Sequence, residues 1–126
     1  MKKEGELTFG EFFQILRQEK GLTLRDFCKK AGADPANISR MERGAMSPPK
    51  GREILDRYAV VLGLLEGTDD WYKFFDMAHI ESGRIPEELL EDEAVAASLP
   101  ILFRTLRGKK ISEKKLDELV QLIRKA

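Results

Sequence analysis

The sequence predicts an all-α fold, and three observations carry that reading. Apolar residues recur at i, i+3, i+4 and i+7 in one segment after another, the spacing of a single helical face. The segments open on Thr, Asp or Ser residues that can cap a helix and close on glycines that can end one. No run sustains the period-two alternation of a half-buried strand.

Each element follows from these rules. Thr8 with Glu11 three residues on is a capping-box start, and Phe9, Phe12, Phe13 and Leu16 share a face before Lys20 and Gly21 end the first helix. Thr23 and Asp26 repeat the start, Leu24, Phe27, Cys28 and Ala31 repeat the stripe, and Gly32 supplies the left-handed stop. Asp34-Pro35 is a cap followed by proline at the first helical position, and a third helix runs through Ile38 and Met41 to Gly44. Ser47-Pro48-Pro49 then forbids helix. A fourth helix is expected from about Gly51 to Leu62, with Ile54, Leu55, Tyr58, Ala59 and Leu62 inward. Thr68 caps a fifth with an acidic first turn, whose Trp71, Tyr72, Phe74 and Phe75 read as core because their spacing is helical. Pro86 opens a short turn through Leu90, and another helix covers about Asp92 to Leu106, bent near Pro100. Ser112 caps the last helix, with Leu116, Leu119, Val120 and Ile123 on one face.

The chain of 126 residues suits one domain, or one small domain with an appendage. Its zero net charge hides a pattern. Residues 1–52 carry 11 bases against 7 acids, residues 66–93 carry 10 acids and 2 bases, and residues 94–126 carry 8 bases and 3 acids. A local basic face can steer a polyanion whatever the total charge. No stretch reaches the roughly 18 apolar residues of a membrane helix, so no membrane partner is expected. Met1–Glu6 is polar, without the apolar segment of a signal peptide. Cys28 is the only cysteine, which excludes an internal disulfide and a multi-thiolate metal site and fits a reducing cytoplasm. His79 is the only histidine and has no second ligand at metal spacing. Glu87-Glu88 and Glu91-Asp92-Glu93 read as solvated helix turns, and no glycine-rich phosphate loop is present. Neither an enzyme nor a bound metal or cofactor is expected.

The informative segment is residues 21–44, two short helices joined by a tight turn at Gly32 with the small Cys28 where they cross. It resembles the Xre (phage repressor and Cro-like) helix-turn-helix family, through Gly21, Leu22, Thr23, Phe27, Gly32, Ile38, Ser39, Glu42 and Gly44 in register. The resemblance spans about residues 8–65. It implies a lambda-repressor-like helix-turn-helix domain there, with 66–126 a helical extension for dimerisation or partner binding. It further implies a sequence-specific regulator of double-stranded DNA. Such a protein is a repressor acting as a homodimer, through a recognition helix at about 34–43 in the major groove.

On that geometry Pro35, Ala36, Asn37 and Arg40 face the bases. Arg40 is matched to guanine O6 and N7, Asn37 to adenine, and Pro35 or Ala36 to a thymine methyl. Thr23, Arg25, Lys29, Ser39, Arg43 and Lys50 are the expected phosphate contacts, with Arg52 extending the track. Glu42 is expected to pair structurally with Arg17. Three residues depart from the family pattern: Leu24 stands for a glutamine, Cys28 for an alanine, and Asp34 for a Ser or Thr cap. The antitoxin branch of the family would add a toxin protein as partner. Leu24, Asp34 and the zero net charge motivate a reading from another class, a helix-turn-helix domain turned protein-interaction module.

Overall fold

A computed structural model describes residues 7–126. The reading of Met1–Glu6 as a polar segment unlike a signal peptide lies outside the described residues. Among those residues the structure is all helical: α1 (Phe9–Glu19), α2 (Leu24–Ala31), α3 (Pro35–Glu42), α4 (Arg52–Val61), α5 (Asp69–Glu81), α6 (Glu87–Glu91), α7 (Glu93–Leu106) and α8 (Glu113–Arg124). They fall into two compact units, divided between Pro86 and Glu87.

In the first unit, local chemistry sets the helix ends. Thr8 Oγ1 accepts from the Glu11 N–H at 3.1 Å while Glu11 accepts from the Thr8 N–H at 3.2 Å, so two of the orphan donors at the start of α1 are satisfied reciprocally. Thr23 and Asp26 do the same for α2. The Thr23 bonds hold the Asp26 carboxyl below the usual carboxylate range.

The apolar stripes meet in one core. Phe9, Phe13, Phe27 and Phe74 are fully buried. Phe13 meets Phe27 edge-on with ring centres 4.9 Å apart, Phe27 meets Tyr58 at 5.2 Å, and Phe9 lies 5.1 Å from Phe74. These rings come from α1, α2, α4 and α5, so α5 is built into the same core although the sequence reading closes the first domain at 65. Two further observations tie it in. Glu81 near the end of α5 accepts from the Phe9 N–H at the start of α1. Arg84 donates to the Lys50 carbonyl at 2.9 Å. Sequence resemblance ends near the fourth helix, whereas burial of Phe74, Phe75 and Ala78 depends on which surface α5 finds.

Two inward assignments differ from the structure. Tyr72 is exposed while Phe74 and Phe75 are buried, because Trp71, Phe74 and Phe75 share one arc of the helix and Tyr72 falls outside that stripe. Ile54 is exposed and lies beside Gly51 at the N-terminal end of α4.

The second unit, Glu87–Ala126, is different in kind: no residue of α6, α7 or α8 is buried. Its helices are well capped, with Asp92 accepting from the N–H groups of Ala94 and Val95 and Ser112 accepting from that of Lys115. Pro100 sits inside α7 without ending it. The four stripe residues of α8 are 44–73% exposed.

Candidate nucleic-acid interface

The candidate interface is made by α2 and α3. Gly32 takes φ 66° and ψ 39°, a left-handed conformation in which any Cβ is strained, and the Ala33 N–H returns to the Cys28 carbonyl at 2.9 Å. The chain therefore stops α2 and enters α3 after only Gly32, Ala33 and Asp34. Asp34 Oδ2 accepts from the Asn37 N–H at 3.1 Å, and Pro35 occupies the first helical position. The Asp34 carboxylate is thus spent on the cap of α3, at the positive end of its dipole.

Ile38 and Met41 are each 3% exposed and seat one side of α3 on the core. The other side is left to solvent. Pro35, Ala36 and Arg40 are exposed and Asn37 is partly so. The Arg40 guanidinium donates to Asn37 Oδ1 at 2.6 Å, an i, i+3 bond along the outer face. Arg43, the C-cap of α3, is exposed and its Nε donates to the Ser39 carbonyl at 3.3 Å.

The remaining sequence-predicted contacts are placed as follows. Thr23, Arg25 and Lys29 are exposed on α2, and Ser39 is partly buried on α3. The Thr23 oxygen accepts within its capping box, which leaves the hydroxyl hydrogen free to donate. Lys50 is exposed on the loop that Arg84 clamps. Arg52 is drawn elsewhere. Its Nε donates to Asp56 at 3.1 Å and its guanidinium lies 4.2 Å from the Phe75 ring centre and 5.5 Å from that of Trp71. That cation–π stack ties Arg52 to α5.

Arg17 and Glu42 hold the C-terminal end of α3 to α1. Arg17 Nε and Nη2 donate to the two Glu42 carboxylate oxygens at 2.7 and 2.9 Å, and Nη1 donates to the Leu22 carbonyl at 2.9 Å. The pair's side chains are only 10% and 8% exposed. The bond to Glu42 raises the Arg17 pKa further above its already high value.

The residues that depart from the family pattern have structural reasons. Leu24 is half-buried against the core, so it adds apolar contact instead of the polar reach of glutamine. Cys28 is 4% exposed where α2 meets its neighbours. Burial pushes the Cys28 thiol and the Tyr58 phenol above their usual ranges. For both acids the folded state keeps the proton that the unfolded chain gives up. Their contribution to stability is therefore full below the ordinary values and is lost as pH rises through the folded ones. The urea midpoint should fall from about pH 9 upward. At pH 8 the native Cys28 should react with a thiol reagent only as fast as the protein opens, and immediate labelling in native buffer would show an open α2 crossing.

His79 is accounted for by a ring nitrogen 2.6 Å from the Phe75 carbonyl. Among the described residues no group of three or more His, Cys, Asp or Glu is placed to hold a metal ion. None of the described helices is long and apolar enough to cross a membrane.

Two short helices, a left-handed glycine turn between them, and a second helix seated by apolar residues with an Arg/Asn face outward define a helix-turn-helix unit, the architecture of DNA-binding regulators. A family model described as a helix-turn-helix domain matches residues 8–70, and the chain belongs to that family. Comparison with curated proteins and with solved structures gives no match.

Sequence reasoning missed three contacts here. The Asn37–Arg40 bond was signalled by the i, i+3 spacing of a long donor and a short acceptor. The Arg84 clamp on Lys50 and the Arg52 stack depend on where α5 packs and left no local signal.

Proposed function

We propose that the chain is a sequence-specific regulator of double-stranded DNA, a repressor that acts by occupying its site as a dimer. One observation carries the reading: α3 is locked from behind by Ile38, Met41 and the Arg17–Glu42 pair while Pro35, Ala36, Asn37 and Arg40 face outward together. An α-helix fits the major groove, and residues near its start reach base edges there. Arg43 and Ser39 at the far end of α3, Thr23, Arg25 and Lys29 on α2, and Lys50 beyond α3 then meet the flanking phosphates. These contacts supply register and most of the salt-dependent affinity.

A single recognition helix reads few base pairs, so two copies are needed for a useful site. The Glu87–Ala126 unit is the proposed seam, with a second copy of the chain as its occupant. Ten of its large apolar side chains between Leu89 and Ile123 are 44–73% exposed. Together they present on the order of 900 Å², the scale of one partner's share of a standard interface. A 40-residue unit with no buried residue of its own gains a core only by such pairing.

The test is a binding titration on duplex DNA at several salt concentrations. Arg40→Ala should weaken a preferred site by about 1–3 kcal/mol. Arg43→Ala should weaken all sequences alike and flatten the salt slope by about 1. A Leu119→Glu, Ile123→Glu double variant should sediment as a monomer and lose affinity for a two-half-site duplex. Binding by the parent that is absent, or that ignores both salt and these arginines, would overturn the reading.

A further inference from the structure

We infer that Asn37 is a positioning residue for Arg40, so that the two side chains act as one reader of a single guanine instead of reading two base pairs. The inference rests on the DNA-binding reading above and specifies how the outer face of α3 would select its base.

The geometry is simple. Asn37 and Arg40 lie one turn apart on α3, and the Arg40 Nη2 donates to Asn37 Oδ1 at 2.6 Å. A charged donor on a short bond makes this the stronger kind of hydrogen bond. Asn37 is partly buried, its main chain is fixed by the bond to the Asp34 cap, and its short side chain has few rotamers to lose. Arg40 is exposed on a long, flexible stem. An unanchored arginine loses rotamer freedom on meeting a base edge, and a side chain held beforehand loses less.

The donor and acceptor count supports the same division of labour. The guanidinium has five N–H groups, and one given to Asn37 leaves enough for the bidentate contact with guanine O6 and N7. Asn37 is constrained by direction, since its carbonyl can accept twice but is aimed at Arg40. To read adenine it must offer its carbonyl to N6 and its amide to N7 together. In the structure that carbonyl is turned along the helix to Arg40. The reading of Asn37 as an adenine contact therefore gives way to a role that acts through its neighbour.

Substitution separates the two roles, because Asn37→Asp keeps an acceptor for Arg40 but removes the amide donor that adenine N7 requires. The experiment is selection from random duplexes with the full chain, reading base preference at every position for the parent, Asn37→Ala, Asn37→Asp, Arg40→Ala and the Asn37→Ala, Arg40→Ala double variant. Thermal melting of each variant is followed alongside. Arg40→Ala should reduce the preference for one guanine per half-site by roughly 5–150-fold. Asn37→Ala should reduce preference at that same guanine by several-fold, the double variant should go no further than Arg40→Ala, and melting should be unchanged. Asn37→Asp should keep the guanine preference while binding all sequences more weakly, through repulsion from phosphate. If Asn37→Ala or Asn37→Asp instead removes a preference for adenine at a different position, the inference is wrong and the DNA reading stands. If the parent selects no sequence, the DNA reading fails and takes the inference with it.

Discussion

Gly10→Ala is expected to destabilise the protein by about 3 kcal/mol or more, a large part of the roughly 5–15 kcal/mol that holds a domain together. The usual effect of this change inside a helix has the opposite sign, a gain of about 0.5–1 kcal/mol. The reversal comes from how closely α1 crosses α3. A Cβ on Gly10 would lie 2.3 Å from the Met41 carbonyl oxygen, 2.7 Å from that of Glu42 and 2.9 Å from the Glu42 carbonyl carbon. All three are backbone atoms, so no side-chain rotation relieves the contact. Either α1 withdraws, which disturbs the buried Phe9 and Phe13, or the end of α3 is pushed outward. Gly51 is the matched control, because a Cβ there meets nothing closer than Ile54 Cδ1 at 3.7 Å. Gly51→Ser at that uncapped start of α4 should gain a few tenths of a kcal/mol. Urea unfolding of the two variants checks both. A Gly10→Ala protein as stable as the parent would mean that α1 and α3 do not approach this closely.

Glu42→Ala should be nearly as damaging, at about 3–5 kcal/mol, because it leaves the nearly buried Arg17 charge without its partner. Arg17 cannot escape by losing its proton, since arginine stays charged throughout the accessible pH range. Its one remaining bond, to the Leu22 carbonyl, leaves the rest of the guanidinium unsatisfied. Replacing both partners by apolar residues, Arg17→Met with Glu42→Leu, should cost much less than the single change, since no charge is then buried. Equilibrium unfolding of the single and double variants gives the comparison. A loss below about 1 kcal/mol for Glu42→Ala would place the pair among exposed ion pairs and contradict its burial.

What was legible in the sequence follows from the range of the forces involved. The starts of α1, α2 and α3 were readable because Thr8 with Glu11, Thr23 with Asp26, and Asp34 with Pro35 are complete local devices. Gly32 was readable because a left-handed turn is a property of one residue. The phenylalanine stripe of α1 was readable as an inward face. Gly10 was not, since its role depends on the distance to a helix some thirty residues further on. The place of α5 in the first core was missed for the same reason, and so were the Arg52 stack and the Arg84 clamp. At the candidate site, Pro35, Ala36, Asn37 and Arg40 were singled out through the family resemblance, and what period supplied was the opposite, inward side of Ile38 and Met41. That Arg40 leans on Asn37 is a matter of side-chain rotamer, which period does not determine. The α8 stripe was visible as a pattern, but whether it lies in a core or in solvent depends on tertiary contact.

The most direct measurement of the central claim is selection of the full chain against a pool of random duplex DNA at two salt concentrations. The account predicts enrichment of a two-fold-related sequence with guanine at matching positions of the two half-sites. Affinity should fall steeply as salt rises. Retention of no sequence over any other, with no dependence on salt, would contradict it and leave the outward face of α3 without a nucleic-acid role.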